Sequence, residues 1–134
     1  MKSKIKETEL FIRGRRNSFQ YAFAGFIYVL KTQKNAWLHF ASTVVVVAIS
    51  FWLGIGRVEW MAILLVIGLV WMAEFLNTAL EIVVDLASPE NHPLAKAGKD
   101  VGAASVLIAA ILAVIIGGIV LLQPLLDKIG WLVE

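Results

Sequence analysis

Three long apolar runs organise the chain. The first extends from Leu38 to Gly54, the second from about Val58 to Val84, and the third from Val101 to Leu126. About 20 residues of helix suffice to cross a bilayer, and each run is near or beyond that length. The runs are continuous rather than alternating, which argues against a barrel of short strands and leaves helix as the spanning structure. Trp37, Trp52, Trp60 and Trp131 fall at the run ends, where indoles settle at a membrane interface. Ahead of the first run, Phe11, Phe19, Phe23, Phe26 and Leu30 recur at helical spacing beside Arg15, Arg16 and Lys31. That pattern predicts an amphipathic helix over 1–35 lying on the membrane surface. The expected fold is therefore an all-α integral membrane protein with one domain over 1–134. It has an N-terminal surface helix and transmembrane helices over about 38–54, 58–84 and 101–126.

Composition sharpens this picture. The chain is 60% hydrophobic and 16% charged, too few charges for an ordinary soluble surface. It has no cysteine, which excludes a thiol nucleophile, a disulfide and a Cys-ligated metal. A net charge of +2 gives no reason to expect nucleic acid as a partner. The basic first 34 residues are not followed directly by a compact apolar core and small-residue cleavage site, so the first run is expected to remain as an anchor. Lys2, Lys4, Lys6, Arg13, Arg15, Arg16, Lys31 and Lys34 precede the first run, and Lys96 and Lys99 lie between the second and third. These are ten of the twelve cations. The N-terminus and the 85–100 segment are thus expected on the cytoplasmic side and the C-terminus outside.

The second run is broken by polar residues at a regular spacing: Glu74, Asn77, Glu81 and Asp85. At about 100° per residue they share one arc of about 80° on a helix. Glu74 lies roughly 24 Å from Val58 along the helix, in the inner part of the bilayer, with Glu81 near the interface. An acid there is unfavourable unless partners or water compensate. A polar seam joining helices would explain Asn77 alone. Three acids on one stripe repel one another unless a cation joins them, which suits an oxygen-ligated ion such as Mg²⁺. Beyond the stripe comes a polar segment, Ser88-Pro-Glu90-Asn91-His92-Pro-Leu-Ala-Lys96-Ala-Gly-Lys99-Asp100, read as a cytoplasmic loop. Carboxylates, a metal and a lysine at a lipid surface suit phosphoryl transfer. A cation carrier would also want an acidic stripe, so the residues alone leave both open.

The pattern Glu74-x-x-Asn77-Thr-Ala79-x-Glu81-x-x-x-Asp85, with Lys99-Asp100 and Val106-Leu-Ile-Ala109 downstream, resembles the prokaryotic diacylglycerol kinase family, which includes undecaprenol kinases. The likeness covers nearly the whole chain. Neither a phosphate-binding Gly-x-x-x-x-Gly-Lys-[Ser/Thr] loop nor the protein-kinase motif set is present, so neither common kinase design applies. The resemblance implies an ATP-dependent lipid kinase of the bacterial inner membrane, acting as a homotrimer with composite sites between subunits. It implies Glu74 as catalytic base with Asn77 as orienting group, and Glu81 as Mg²⁺ ligand. It implies Lys99 and Asp100 as nucleotide contacts, with Glu90, Asn91, His92 and Tyr21 around the nucleotide. It assigns Asn35, Ala36, Trp37, Leu38, His39 and Ala103 to the lipid.

One position departs from the family pattern. Gln33 stands where relatives usually carry Glu as a second metal ligand, and an amide keeps a carbonyl oxygen there but loses the charge. The Thr-Gln-Lys-Asn-Ala-Trp run and the Ser-Pro-Glu-x-His-Pro-Leu-Ala-Lys segment look more like the undecaprenol branch, so undecaprenol is favoured over diacylglycerol as acceptor. The competing class is a non-catalytic ion-binding membrane protein, which has no use for a phosphate-directed Lys99. Small residues at Gly98, Gly102, Ala109, Ala113 and Gly117 in the third run predict close helix packing in a bundle or oligomer.

Overall fold

The computed structural model describes the backbone of residues 2–90 and 92–133 and the side chains of 17–90 and 92–130. Four helices account for nearly all of it: α1 (Lys2–Thr32), α2 (Lys34–Leu53), α3 (Arg57–Ala87) and α4 (Pro93–Val133). Among the described residues, α2, α3 and the Pro93–Gly130 part of α4 are long and apolar enough to cross a membrane. The chain divides into two compact units, Met1–Lys34 and Asn35–Glu134.

The first unit is α1. Its last turn carries Lys31, a favourable charge at the negative end of the helix dipole. The Gln33 N–H donates to the Val29 carbonyl at 2.9 Å, and the Thr32 hydroxyl donates to the Tyr28 carbonyl at 2.9 Å. Phe19, Tyr21 and Phe23 are all exposed. Phe19 and Phe23 share a face, whereas Tyr21 lies about 200° away from Phe19. No charge occurs between Asn17 and Leu30, so this part of α1 is aromatic on more than one side. Phe11, Arg15 and Arg16, on which the amphipathic reading also rests, lie outside the described side chains.

In the second unit, the turn between α2 and α3 is fixed by backbone chemistry. Gly54 has φ +69°, a left-handed conformation that glycine adopts without penalty. Its N–H donates to the Phe51 carbonyl at 3.2 Å, and the Ile55 N–H donates to the Ser50 carbonyl at 3.4 Å. This paired arrangement is the Schellman closure of a helix C-terminus. It turns Ile55 inward, where it forms a buried cluster with Leu53 and Ile63, flanked by Val46, Ile49 and Trp60. Phe51 and Trp60 pack against each other across the turn, with centroids 4.6 Å apart and planes tilted by 56°. Gly56 caps α3, and Glu59 supplies an acid to its first turn, matching the helix dipole.

The turn between α3 and α4 is shorter than the sequence reading expected. The polar segment, expected to be loop through Asp100, is helical from Pro93. His92 is the reason: its Nδ1 accepts the Leu94 N–H at 3.2 Å, and its carbonyl accepts the Lys96 N–H at 3.1 Å. It therefore caps α4, with proline at the first helical position where no N–H is needed. Lys96, Lys99 and Asp100 consequently sit on a helix. The result is one helix of 41 residues, with Pro124 inside it.

α3 and α4 approach backbone to backbone, whereas α2 meets α3 through side chains. The α3–α4 approach is tightest at Gly102. A methyl group there would collide with Asn77 Oδ1 and press on Leu80. Gly98 faces Val84 at ordinary contact distance, but a methyl group at Gly117 would meet nothing within 4 Å. The small-residue stripe thus packs closely within the chain at Gly102 and not at Gly117. Gly102→Ala is expected to lower stability by about 1–3 kcal/mol, the range for overpacking a filled contact. Gly68→Ala, which meets open space, is expected to be neutral or stabilising through helix propensity. Thermal unfolding in detergent compares the two.

Candidate functional site

The polar stripe of α3 begins deep in the second unit and runs to its loop end. Glu74 is 2% exposed, Asn77 8% and Thr78 2%. Such burial in an apolar bundle demands partners, and the structure supplies most of them. The Thr78 hydroxyl donates to the Glu74 carbonyl at 2.8 Å, within the helix. Asn77 Nδ2 donates to Glu81 Oε1 at 3.2 Å. Its Oδ1 is buried without a partner, against Gly102 of α4. Burial falls along the stripe: Glu81 is half-buried and Asp85 is exposed, where it pairs with Lys99 Nζ of α4.

α2 brings one titratable group to Glu74. His39 Nε2 lies 3.8 Å from Glu74 Oε2, beyond hydrogen-bond reach, and this buried nitrogen has no hydrogen-bond partner among the described residues. The next turn is pinned by hydroxyl chemistry. Thr43 Oγ1 donates to the His39 carbonyl at 2.8 Å and accepts the Trp71 indole N–H at 3.2 Å. Trp71, which the sequence reading left unassigned, thereby ties α3 to α2 one turn from Glu74. The alternation Thr43/Trp71 was visible as polar atoms inside apolar runs, but its cross-helix pairing was not.

Two cavities flank the stripe. One, of about 530 Å³, lies among α2, α3 and α4. Its wall is aliphatic apart from His39, Ser42 and Thr43. The other, of about 500 Å³, is at the loop end, lined by Asp85, Ser88, Glu90, His92 and Lys99 among others. Glu74, Asn77 and Glu81 occupy the helix between the His39 level and the Asp85 level.

Glu74, Asn77 and Glu81 come together, and Glu90, His92 and Lys99 share the polar cavity. Asp100 instead pairs with Lys96 at 3.6 Å on the exposed side of α4. Leu38 and His39 line the apolar cavity. Ala36 is fully buried, and Trp37 is exposed with its ring edge-on to Phe40. Asn35 and Ala103 are exposed. Asn91 lies outside the described residues. Tyr21 and Gln33 belong to the separate N-terminal unit.

Among the described residues, no three His, Asp or Glu side chains converge as a closed metal cage. The oxygen donors at the stripe do fit a cation of another kind. Mg²⁺ is commonly held by one or two carboxylates, with waters and substrate phosphates completing the shell, and Glu81 offers one half-buried carboxylate beside the orphaned Asn77 carbonyl.

Three helices fit to span a membrane, carrying a buried acid between an apolar and a polar cavity, define a polytopic membrane protein with a polar site at one end of its bundle. The chain belongs to the prokaryotic diacylglycerol kinase family, whose sequence model matches residues 20–121. It is 46% identical over 111 residues to a diacylglycerol kinase of Synechocystis, covering 82% of this chain and 63% of that protein. It is 39% identical over 108 residues to the undecaprenol kinase of Bacillus subtilis, covering 81% and 88%. A diacylglycerol kinase of Escherichia coli is 36% identical over 95 residues, covering 66% and 78%. The chain therefore spans under two thirds of the Synechocystis protein and most of the other two.

The Thr43–Trp71 bond is expected to hold α2 in register with α3. Thr43→Val and Trp71→Phe should each cost about 0.6–1.7 kcal/mol, the range for hydrogen bonds between membrane helices. The double variant should cost little more than either single one, because both remove the same bond. Unfolding midpoints of the four proteins check the coupling.

Proposed function

We propose that this protein is a lipid kinase that transfers the γ-phosphoryl group of ATP to the hydroxyl of a membrane lipid. The observation that carries the reading is the placement of buried Glu74 between an apolar cavity, reached through His39, and a polar cavity that contains Lys99. An amphiphile with a hydroxyl head matches the first. A polyanion matches the lysine of the second. The family's named activities support the same assignment.

In this mechanism the lipid's hydrocarbon part occupies the apolar cavity and its hydroxyl reaches the Glu74 level. Glu74 accepts the hydroxyl proton as the lipid oxygen attacks the γ-phosphorus, and the bond to the bridging oxygen breaks to release ADP. His39 Nε2, unpaired at 3.8 Å from the carboxylate, offers a second polar contact for the same hydroxyl. Asn77 holds Glu81 through its amide and so fixes the carboxylate's direction. Lys99 exchanges Asp85 for phosphate oxygens. Glu81 would hold Mg²⁺, with Gln33 the second ligand position that the family resemblance implies, and the ion would supply positive charge against the nucleotide phosphates. Tyr21, Glu90, Asn91, His92 and Asp100 complete the nucleotide side in this reading, and Asn35, Ala36, Trp37, Leu38 and Ala103 the lipid side.

Undecaprenol is the favoured acceptor, with diacylglycerol second. Beyond His39, Ser42 and Thr43 the cavity offers only aliphatic wall, which suits an alcohol on a pure hydrocarbon better than a diester. The proposed setting is the bacterial inner membrane, with the loop end and N-terminus cytoplasmic and the C-terminus outside. The proposed assembly is a homotrimer with sites shared between subunits, and α1 rests on the inner leaflet.

The direct test is ATP-dependent transfer of labelled γ-phosphate into purified undecaprenol and diacylglycerol, each supplied in mixed micelles. Glu74→Gln should lower the rate by about 10²–10⁴-fold, the usual contribution of a general base, while nucleotide affinity is retained. A variant rate above about a tenth of wild type would remove Glu74 from that role. Lys99→Ala should weaken ATP binding roughly 10- to 100-fold, as expected for loss of a charge-assisted bond of about 1.5–3 kcal/mol. Lys96→Ala should cost much less, because its side chain is 83% exposed. Equal ATP dissociation constants for the two variants would refute the Lys99 assignment.

A further inference from the structure

The apolar cavity carries an unexplained feature midway along its α4 wall. Gly117 and Gly118 stand side by side in the interior of α4, and both line the cavity. Glycine weakens a helix interior relative to alanine, so a tandem pair in the middle of a span calls for a reason. Close helix packing is the usual one in membranes. It does not hold among the described residues, because a methyl group built on either glycine would meet none of them within 4 Å. The contrast with Gly102, where the same methyl group collides with Asn77, separates a glycine that lets helices touch from two that leave space.

The space is continuous with the site. α4 contributes Ala110, Ala113, Gly117 and Gly118 to one wall, and α3 contributes Ile63, Val66, Ile67 and Val70 to the facing one. Along α4 the cavity extends from Ala110 to Leu125, about 22 Å of helix. Its polar end is His39, which neighbours Glu74. A slot of this length, aliphatic beyond His39, Ser42 and Thr43 and ending beside a buried carboxylate, suits a hydrocarbon chain whose hydroxyl lies at that carboxylate.

We infer that Gly117 and Gly118 are specificity-determining residues, widening the slot so that the acceptor's hydrocarbon chain passes them and making chain bulk at that depth a criterion of acceptor choice. The inference rests on the lipid kinase reading. Branched isoprenoid chains, with a methyl group on every unit, demand the most room there. A straight acyl chain demands less, and an alcohol too short to reach Gly117 demands none.

The test compares wild type, Gly117→Leu, Gly118→Leu and Gly117→Ala with three acceptors: undecaprenol, a straight-chain diacylglycerol, and a ten-carbon prenol. Transfer by wild type is measured first, and its absence with all three would refute the kinase reading rather than this inference. The expected result is a drop of at least tenfold in the kcat/KM ratio of undecaprenol to the ten-carbon prenol for either leucine variant, carried mainly by KM. Diacylglycerol should fall between the two. Gly117→Ala should shift the ratio two- to threefold in the same direction while raising Tm, so a leucine variant that fails to fold leaves the test intact. Unchanged ratios would overturn the inference. So would an equal loss on all acceptors accompanied by a changed oligomeric state, since the slot would then be filled by a second copy of the chain.

Discussion

Burying a carboxylate and an amide inside an apolar bundle is the constraint around which the second unit is built. Hydrocarbon offers Glu74 and Asn77 no hydrogen bonds, and polar groups left unpaired there are costly. The neighbouring helices compensate in different ways. α2 brings an imidazole to Glu74 and anchors itself through the Thr43–Trp71 bond one turn away. α4 comes so near at Gly102 that Asn77 is covered without room for a methyl group. The residual cost stays on Asn77 Oδ1 and His39 Nε2, buried atoms that find no hydrogen-bond partner among the described residues.

The same logic explains why the polar residues are graded rather than clustered. From Glu74 through Glu81 to Asp85 the stripe passes from buried through half-buried to exposed. Each group sits where its charge is affordable given its partners: an amide and an imidazole inside, a lysine at the exposed end. A chain of carboxylates at uniform depth would repel itself. This one changes environment every turn or so along a single helix.

Much of this was legible in the chain. Span positions follow from apolar runs, because the bilayer leaves no alternative to helix. The stripe follows from the spacing of Glu74, Asn77, Glu81 and Asp85, because helical geometry leaves no freedom in it. The start of α4 was misplaced because hydropathy reports only the part of a helix that is apolar. Pro93 through Asp100 is polar helix beyond the apolar run, announced only by His92-Pro93, a cap followed by a first-turn proline. The approach of His39 to Glu74 was also hidden, since residues 35 positions apart meet only once two helices have been assembled. Equally, nothing in the spacing of small residues distinguishes Gly102, which touches α3, from Gly117, which faces open space.

The continuity of α4 sets limits on how this chain can diverge. Lys99 at the polar cavity and Gly117 in the apolar slot ride on one unbroken helix. Each residue inserted or deleted between them would turn one against the other by about 100° and slide it by about 1.5 Å, so no single-residue change in length preserves both. The turn from Ser88 to His92 has no such bookkeeping, and Gly54–Gly56 has little. Length variation among descendants of this sequence should therefore accumulate in the turns and tails, while the stretch from Lys99 to Gly117 drifts only by substitution.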